Sequence, residues 1–117
     1  MEYFEVGKLY QEPRLCFLIF PTKRLSKTAS RNGWKLSIVY NHNSEVEVTF
    51  WRDFWTKILE CPIYYSKQGE IFMILETETN LKVTKNGVEQ FLKVLFASGK
   101  TGWISAGTNL SYYKRIL

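Results

Sequence analysis

Hydrophobic residues along this chain fall into short clusters, and the spacing within each cluster predicts its element. Tyr3 to Tyr10 is short, aromatic and broken off before Pro13, and reads as a strand. Leu15 to Phe20 is a continuous apolar run of strand length, closed by Pro21, which removes a backbone donor; such a run suits a strand buried on both faces or lying at an edge. From Pro21 to Trp34 the pattern dissolves into Thr, Ser, Asn, Gly and basic residues, which predicts a long loop. Lys35 to Tyr40 alternates again, Asn41-His42-Asn43-Ser44 is a turn, and Glu45 to Phe50 alternates charge and hydrophobe with period two, so a hairpin is expected. Trp51, Trp55, Ile58 and Leu59 then recur at helical spacing, predicting one short helix from about Phe50 to Glu60, with Thr49 as N-cap and Cys61-Pro62 as the stop.

The last third is a succession of hairpins. Gly69 to Glu76 is a strand, Lys85-Asn86-Gly87 is a strong turn signal, and Phe91 to Phe96 is the partner strand. Ser98-Gly99-Lys100-Thr101-Gly102 makes a second tight turn, and Trp103-Ile104 begins another strand. Ala106 to Leu110 suits a single 3₁₀ turn, and Tyr112 to Leu117 a final strand. A meander of this kind can close on itself and so remove exposed sheet edges. The reading is one mostly β domain over residues 1–117.

Length and composition narrow the class. A chain of 117 residues with 45% hydrophobic and 23% charged residues suits one globular domain with one core. Its longest apolar runs are far below the roughly 18 residues that span a bilayer, and the acidic start Met1-Glu2-Tyr3-Phe4-Glu5 is unlike a secretory signal, so a cytoplasmic protein is expected. Aromatic residues are unusually frequent at 16%, which means either an aromatic core or rings held out to a partner.

Chemistry has little to stand on. Cys16 and Cys61 read as buried free thiols in a reducing compartment, and the sole histidine, His42, lies in a polar turn with no zinc-like pair of ligands. Glu45 with Glu47, and Glu76 with Glu78, would each share one strand face and read as solvated pairs rather than a catalytic dyad. Gly99-Lys100-Thr101 lacks the upstream glycine of a phosphate loop, because position 94 is Val94. No catalytic, metal or cofactor residue is expected, and the chain reads as non-enzymatic.

Charge and aromatics supply two candidate surfaces. Residues 1–35 carry a net +4, residues 36–81 a net −4 and residues 82–117 a net +5. Lys23, Arg24, Lys27, Arg31 and Lys35 fall in a stretch without acids, and Trp34 stands among them; cations beside a ring can track phosphates and stack a base, so nucleic acid is one candidate partner and an acidic protein surface another. Trp51, Phe54 and Trp55 form the second surface. A helix apolar over so much of its circumference needs two neighbours, one being the sheet and the other either the preceding segment or another chain.

Val6-Gly7-Lys8-Leu9-Tyr10, Gly69-Glu70-Ile71-Phe72-Met73-Ile74-Leu75, Lys93-Val94-Leu95-Phe96, Gly99-Lys100-Thr101-Gly102-Trp103-Ile104 and Asn109-Leu110, in that order, resemble SH3-like barrels, particularly the small ones of bacteria and their phages. The resemblance covers roughly the first ten and last fifty residues. It implies a small barrel in which Gln11 to Gln68 is an insertion carrying a loop, a hairpin and one short helix. It further implies a non-enzymatic interaction module in a larger multi-subunit assembly, in a host cytoplasm or a virion. Ser105-Ala106-Gly107-Thr108-Asn109 lacks the proline that polyproline-binding relatives carry near this turn, which argues against proline-motif recognition.

Overall fold

The computed structural model describes residues 3–32, 38–40, 44–78, 82–84, 87–106 and 110–116. Its organising element is the apolar run near the start of the chain, strand β2 (Leu15–Ile19), which follows the short β1 (Leu9–Gln11). All five residues of β2 are buried, so both faces of the strand are covered. The period of two sends Leu15, Phe17 and Ile19 into one core and Cys16 and Leu18, with Phe20 just beyond, into another.

The first core lies under a six-stranded antiparallel sheet. Strands β5 (Phe72–Thr77), β6 (Lys82–Thr84), β7 (Gly87–Phe96), β8 (Thr101–Ala106) and β9 (Lys114–Arg115) join β1 in the order β6-β7-β5-β1-β9, and β8 pairs β7. The hairpins hold their registers: Met73 lies opposite Leu95, Leu92 opposite Ile104, and Tyr10 opposite both Phe72 and Arg115. A 3₁₀ turn, Leu110–Tyr112, precedes β9. Under the sheet sit Phe4, Tyr10, Phe17, Phe72, Phe96 and Tyr113, so much of the aromatic content is core. Some of these rings meet edge to face, with Phe17 and Phe72 centroids 5.8 Å apart and Phe4 5.3 Å from Tyr113, and others are tilted or stacked.

The second sheet, β3 (Ile38–Tyr40), β2 and β4 (Tyr64–Tyr65), is the floor of that core and the roof of the next. Its register keeps the faces aligned: Phe17 pairs Ile38 on the first core's side, and Cys16 pairs Val39 on the other. Beneath it lie helices α1 (Lys23–Arg31) and α2 (Glu45–Leu59), which supply Ala29, Val48 and Trp55 to the second core.

Two readings of the sequence are corrected here, and with them the expectation of one short helix. Pro21 to Trp34 is not a loop: α1 occupies Lys23–Arg31, while Trp34 lies outside the described residues. Its buried positions are Ser26 and Ala29, so no large apolar stripe marks the helix, although its cations at 23, 27 and 31 have helical spacing and Thr22 caps it by accepting from the Leu25 N–H at 3.2 Å. Glu45 to Phe50 is not a strand but the first turns of α2, capped by Ser44 rather than Thr49. The Ser44 Oγ accepts from the Glu47 N–H at 3.2 Å, and Glu45 and Glu47 lie at the positive end of the helix dipole. The predicted turn residues 41–43, 85–86 and 107–109 lie outside the described residues.

The sheet is open. Among the described residues β8 and β9 do not pair, and the free edge of β8 instead meets the end of β2, where Phe20 and Trp103 exchange backbone hydrogen bonds of 2.9 and 2.7 Å. This junction joins the two sheets and needs Gly102, where an added Cβ would stand 2.7 Å from both Ile19 Cγ2 and the Phe20 carbonyl oxygen. Nearby, the Glu70 carboxylate accepts from the backbone N–H of Lys67 at 2.9 Å and of Ser98 at 2.8 Å, tying two turns together. Burial raises the Glu70 pKa, but the hydrogen bonds from Ser98 and Lys67 and the charge of Lys100 outweigh it, leaving the carboxyl below its ordinary value.

Gly102→Ala is expected to destabilise the fold by about 2–4 kcal/mol in urea denaturation, because the backbone at the β2–β8 junction must separate. Truncation on either face of β2 tests how the layers are coupled. Phe17→Ala and Leu18→Ala should each cost about 3–4 kcal/mol. Both should lower one shared transition, followed by tryptophan fluorescence and by circular dichroism, and a split into two transitions would show that the cores unfold separately.

Candidate interaction surfaces

Helix α2 has two apolar stripes. Val48, Trp51, Trp55 and Leu59 recur at i, i+3, i+7 and i+11 and face the second core, where Val48 and Trp55 are buried and Trp51 and Leu59 pack at the margin. Val46, Phe50, Phe54 and Ile58 recur every four residues and face outward, with 79%, 58%, 40% and 52% of their surfaces exposed. The helix is anchored from its inner side. The Arg52 guanidinium lies 5.3 Å from the centroid of the Tyr65 ring, and Thr56 Oγ1 accepts from the Ile63 N–H at 3.3 Å just past the helix end. The C-cap, Glu60, is left-handed at φ 54°, which turns the chain sharply back to β4.

The structure brings together the three aromatic residues predicted as a partner surface and then divides them. Phe50 and Trp51 are 5.0 Å apart, Trp51 and Phe54 5.7 Å, and Phe54 and Trp55 5.5 Å, all edge to face. Trp55, only 2% exposed, is a core residue and lies away from the surface, Trp51 is half-buried, and Phe54 is exposed. Ile58, expected on the stripe with Trp55, points out instead. The outer face therefore includes Val46, Phe50 and Ile58, which sequence reasoning did not assign to it. Their four-residue spacing from Phe54 is the available signal; the expectation of a strand from Glu45 hides Val46, while Phe50 stands at the start of the expected helix.

The basic candidates are also rearranged. Lys23, Arg24 and Arg31 are exposed on α1, but Lys27 is half-buried and ion-paired with the buried Glu78 carboxylate of the segment after β5. Its ammonium also lies 5.6 Å from the Phe91 ring centroid, and that of Lys23 lies 5.5 Å from Trp103. Ser30 donates to Glu89 of β7. This side of α1 thus has acids and rings of the sheet as partners. Trp34 and Lys35 lie outside the described residues.

Burial pushes the Cys16 thiol above its ordinary value, consistent with an unreactive core position. Among the described residues no group of three or more His, Cys, Asp or Glu side chains is placed to hold a metal ion, and no helix is long and apolar enough to cross a membrane. Comparison with protein-family models, with curated proteins and with solved structures finds no match to this chain.

The two stripes make different demands on stability. Trp55→Ala is expected to cost about 3–5 kcal/mol, whereas Phe50→Ser should change stability by no more than about 0.5 kcal/mol, both measured by urea denaturation of dilute protein. Comparable losses at the two sites would show that the outer stripe is also packed.

Proposed function

We propose that this chain is a non-enzymatic protein-interaction module that docks into a larger assembly through the outer face of α2. One observation carries the reading: four large apolar side chains, Val46, Phe50, Phe54 and Ile58, stand exposed in a line on a helix whose other face already fills a core. Scattered exposed hydrophobes need no explanation, but a contiguous line of them on a rigid element is what a partner surface requires.

The sheet fits a scaffold role. The pairing path β8-β7-β5-β1-β9, with a 3₁₀ turn before the last strand, supports the SH3-like reading of residues 1–10 and 69–117, in an open rather than a closed form. On that reading Gln11 to Gln68 is the insertion that adds β2, the helices and the contact face. Nucleic-acid binding ranks below this reading, because Lys27, central in the basic series, is committed to Glu78.

A photo-crosslinking phenylalanine analogue at position 54, with a control at the exposed Ala97, tests the proposal in extracts of the source cells. Position 54 is expected to give discrete protein adducts, to another protein or to a second copy, and position 97 none. Absence of adducts at position 54, or the same adducts at both positions, would reject the interaction face.

A further inference from the structure

Resting on that reading, we infer that the occupant of the α2 face is a second copy of this chain, with the two helices packed antiparallel about a two-fold axis near position 52. The outer stripe reads aliphatic, aromatic, aromatic, aliphatic in both directions: Val46, Phe50, Phe54, Ile58. Reversal about position 52 brings Val46 against Ile58 of the second copy and Phe50 against its Phe54. This self-complementarity is what a two-fold interface requires, and a different partner would not demand it. Residues four apart form a ridge, and two such ridges packed together cross at about −50°, so contact concentrates on the central Phe50 and Phe54 while the helix ends splay.

Charge is compatible with the same occupant at this face. The whole chain carries +5, and α1 has four basic residues and no acid, so two α1 faces repel. Helix α2 carries Glu45, Glu47 and Asp53 against Arg52 and Lys57, a net −1, and lets two copies approach without that penalty. Antiparallel packing also sets the two helix dipoles in opposition, where a parallel pair would align them.

The area sets the expected strength. The four exposed side chains offer on the order of 400 Å² of apolar surface per copy, comparable to the largest patch on an ordinary monomer. Two copies bury about 800 Å² of it, and flanking groups such as Glu47, Trp51 and Lys57 bring the pair towards the roughly 1,200 Å² at which specific interfaces begin. The dimer is accordingly concentration-dependent, with dissociation in the micromolar range.

Sedimentation velocity from about 1 to 500 μM is the test. The mass is expected to rise from 13.8 kDa towards twice that value. Phe50→Asp should weaken association at least tenfold while leaving the circular dichroism spectrum unchanged, and Val46→Arg, at the most exposed point of the stripe, repeats the test should Phe50→Asp disturb folding. In a Cys61→Ser background, the double variant Val46→Cys, Ile58→Cys should be joined into a covalent dimer by a bismaleimide long enough to span the splayed helix ends, while Val46→Cys alone should not. A wild-type chain that stays monomeric throughout overturns the inference, as does a dimer indifferent to both substitutions or one cross-linked by Val46→Cys alone. If the chain is monomeric and position 54 still forms adducts to another protein, the interaction face stands and only the second copy falls.

Discussion

Strand β2 has no solvent face, and the placement of everything else follows from that constraint. A strand covered on one side only needs a single layer against it, as in an ordinary sandwich. Leu15, Phe17 and Ile19 require one apolar layer and Cys16, Leu18 and Phe20 require another, so the chain must supply a sheet above and helices below. The β-meander meets the first need with Phe72, Ile74, Leu92 and Ile104. The segment from Pro21 to Glu60 meets the second with Ala29, Val48 and Trp55, and it is this second layer that brings α2 to the surface of the molecule.

The consequence for function lies in how little of α2 the core consumes. Val48 and Trp55 at its centre bury fully, and the half-buried Trp51 and Leu59 complete the contact, occupying less than half of the helix circumference. An ordinary amphipathic helix would carry polar residues on the remainder. Here part of the remainder carries Val46, Phe50, Phe54 and Ile58, beside the exposed Glu45, Glu47, Asp53 and Lys57. The rings continue from core to surface through Trp55, Phe54 and Phe50, each in contact with the next, so the outer aromatics are braced by the inner one. A braced ring loses little side-chain freedom when a partner covers it, which favours binding by a surface of modest area.

What could be read in the sequence depended on whether burial left a periodic trace. Six apolar residues in a row at Leu15 to Phe20 left one, and they marked β2 as a strand either buried on both faces or at an edge, of which the structure shows the first; the hairpins around Phe91 to Phe96 and Ser98 to Gly102 were also legible. Helix α1 left no such trace, because the face it buries is Ser26 and Ala29, and a small-residue face beside a sheet looks like loop composition. The start of α2 was misleading in the opposite way: Glu45-Val46-Glu47-Val48 has period two by eye, yet Val46 and Val48 end on different faces of a helix, one exposed and one buried. Ser44 and Glu47, spaced as a helix cap, carried the correct signal, and cap chemistry outweighs a four-residue alternation because it fixes where the hydrogen-bonded turns begin. The candidate surface inherits that error at Val46, which falls in the expected strand, whereas Phe50 and Phe54 fall in the expected helix.

The division between the two stripes also separates two kinds of constraint that share one helix. Inner positions answer to the packing of β2, where a lost ring leaves a cavity beneath Leu18 and Phe20. Outer positions carry no such demand, since no core depends on Val46 or Phe50. The left-handed Glu60 and the Thr56 hydrogen bond to Ile63 fix the C-terminal end of the helix, and Ser44 caps the other, so the rotation of α2 about its axis is set by the core rather than by a partner. The outer stripe is therefore presented in one orientation before any partner arrives, a preorganisation supplied by the same two-faced strand that required the helices at all.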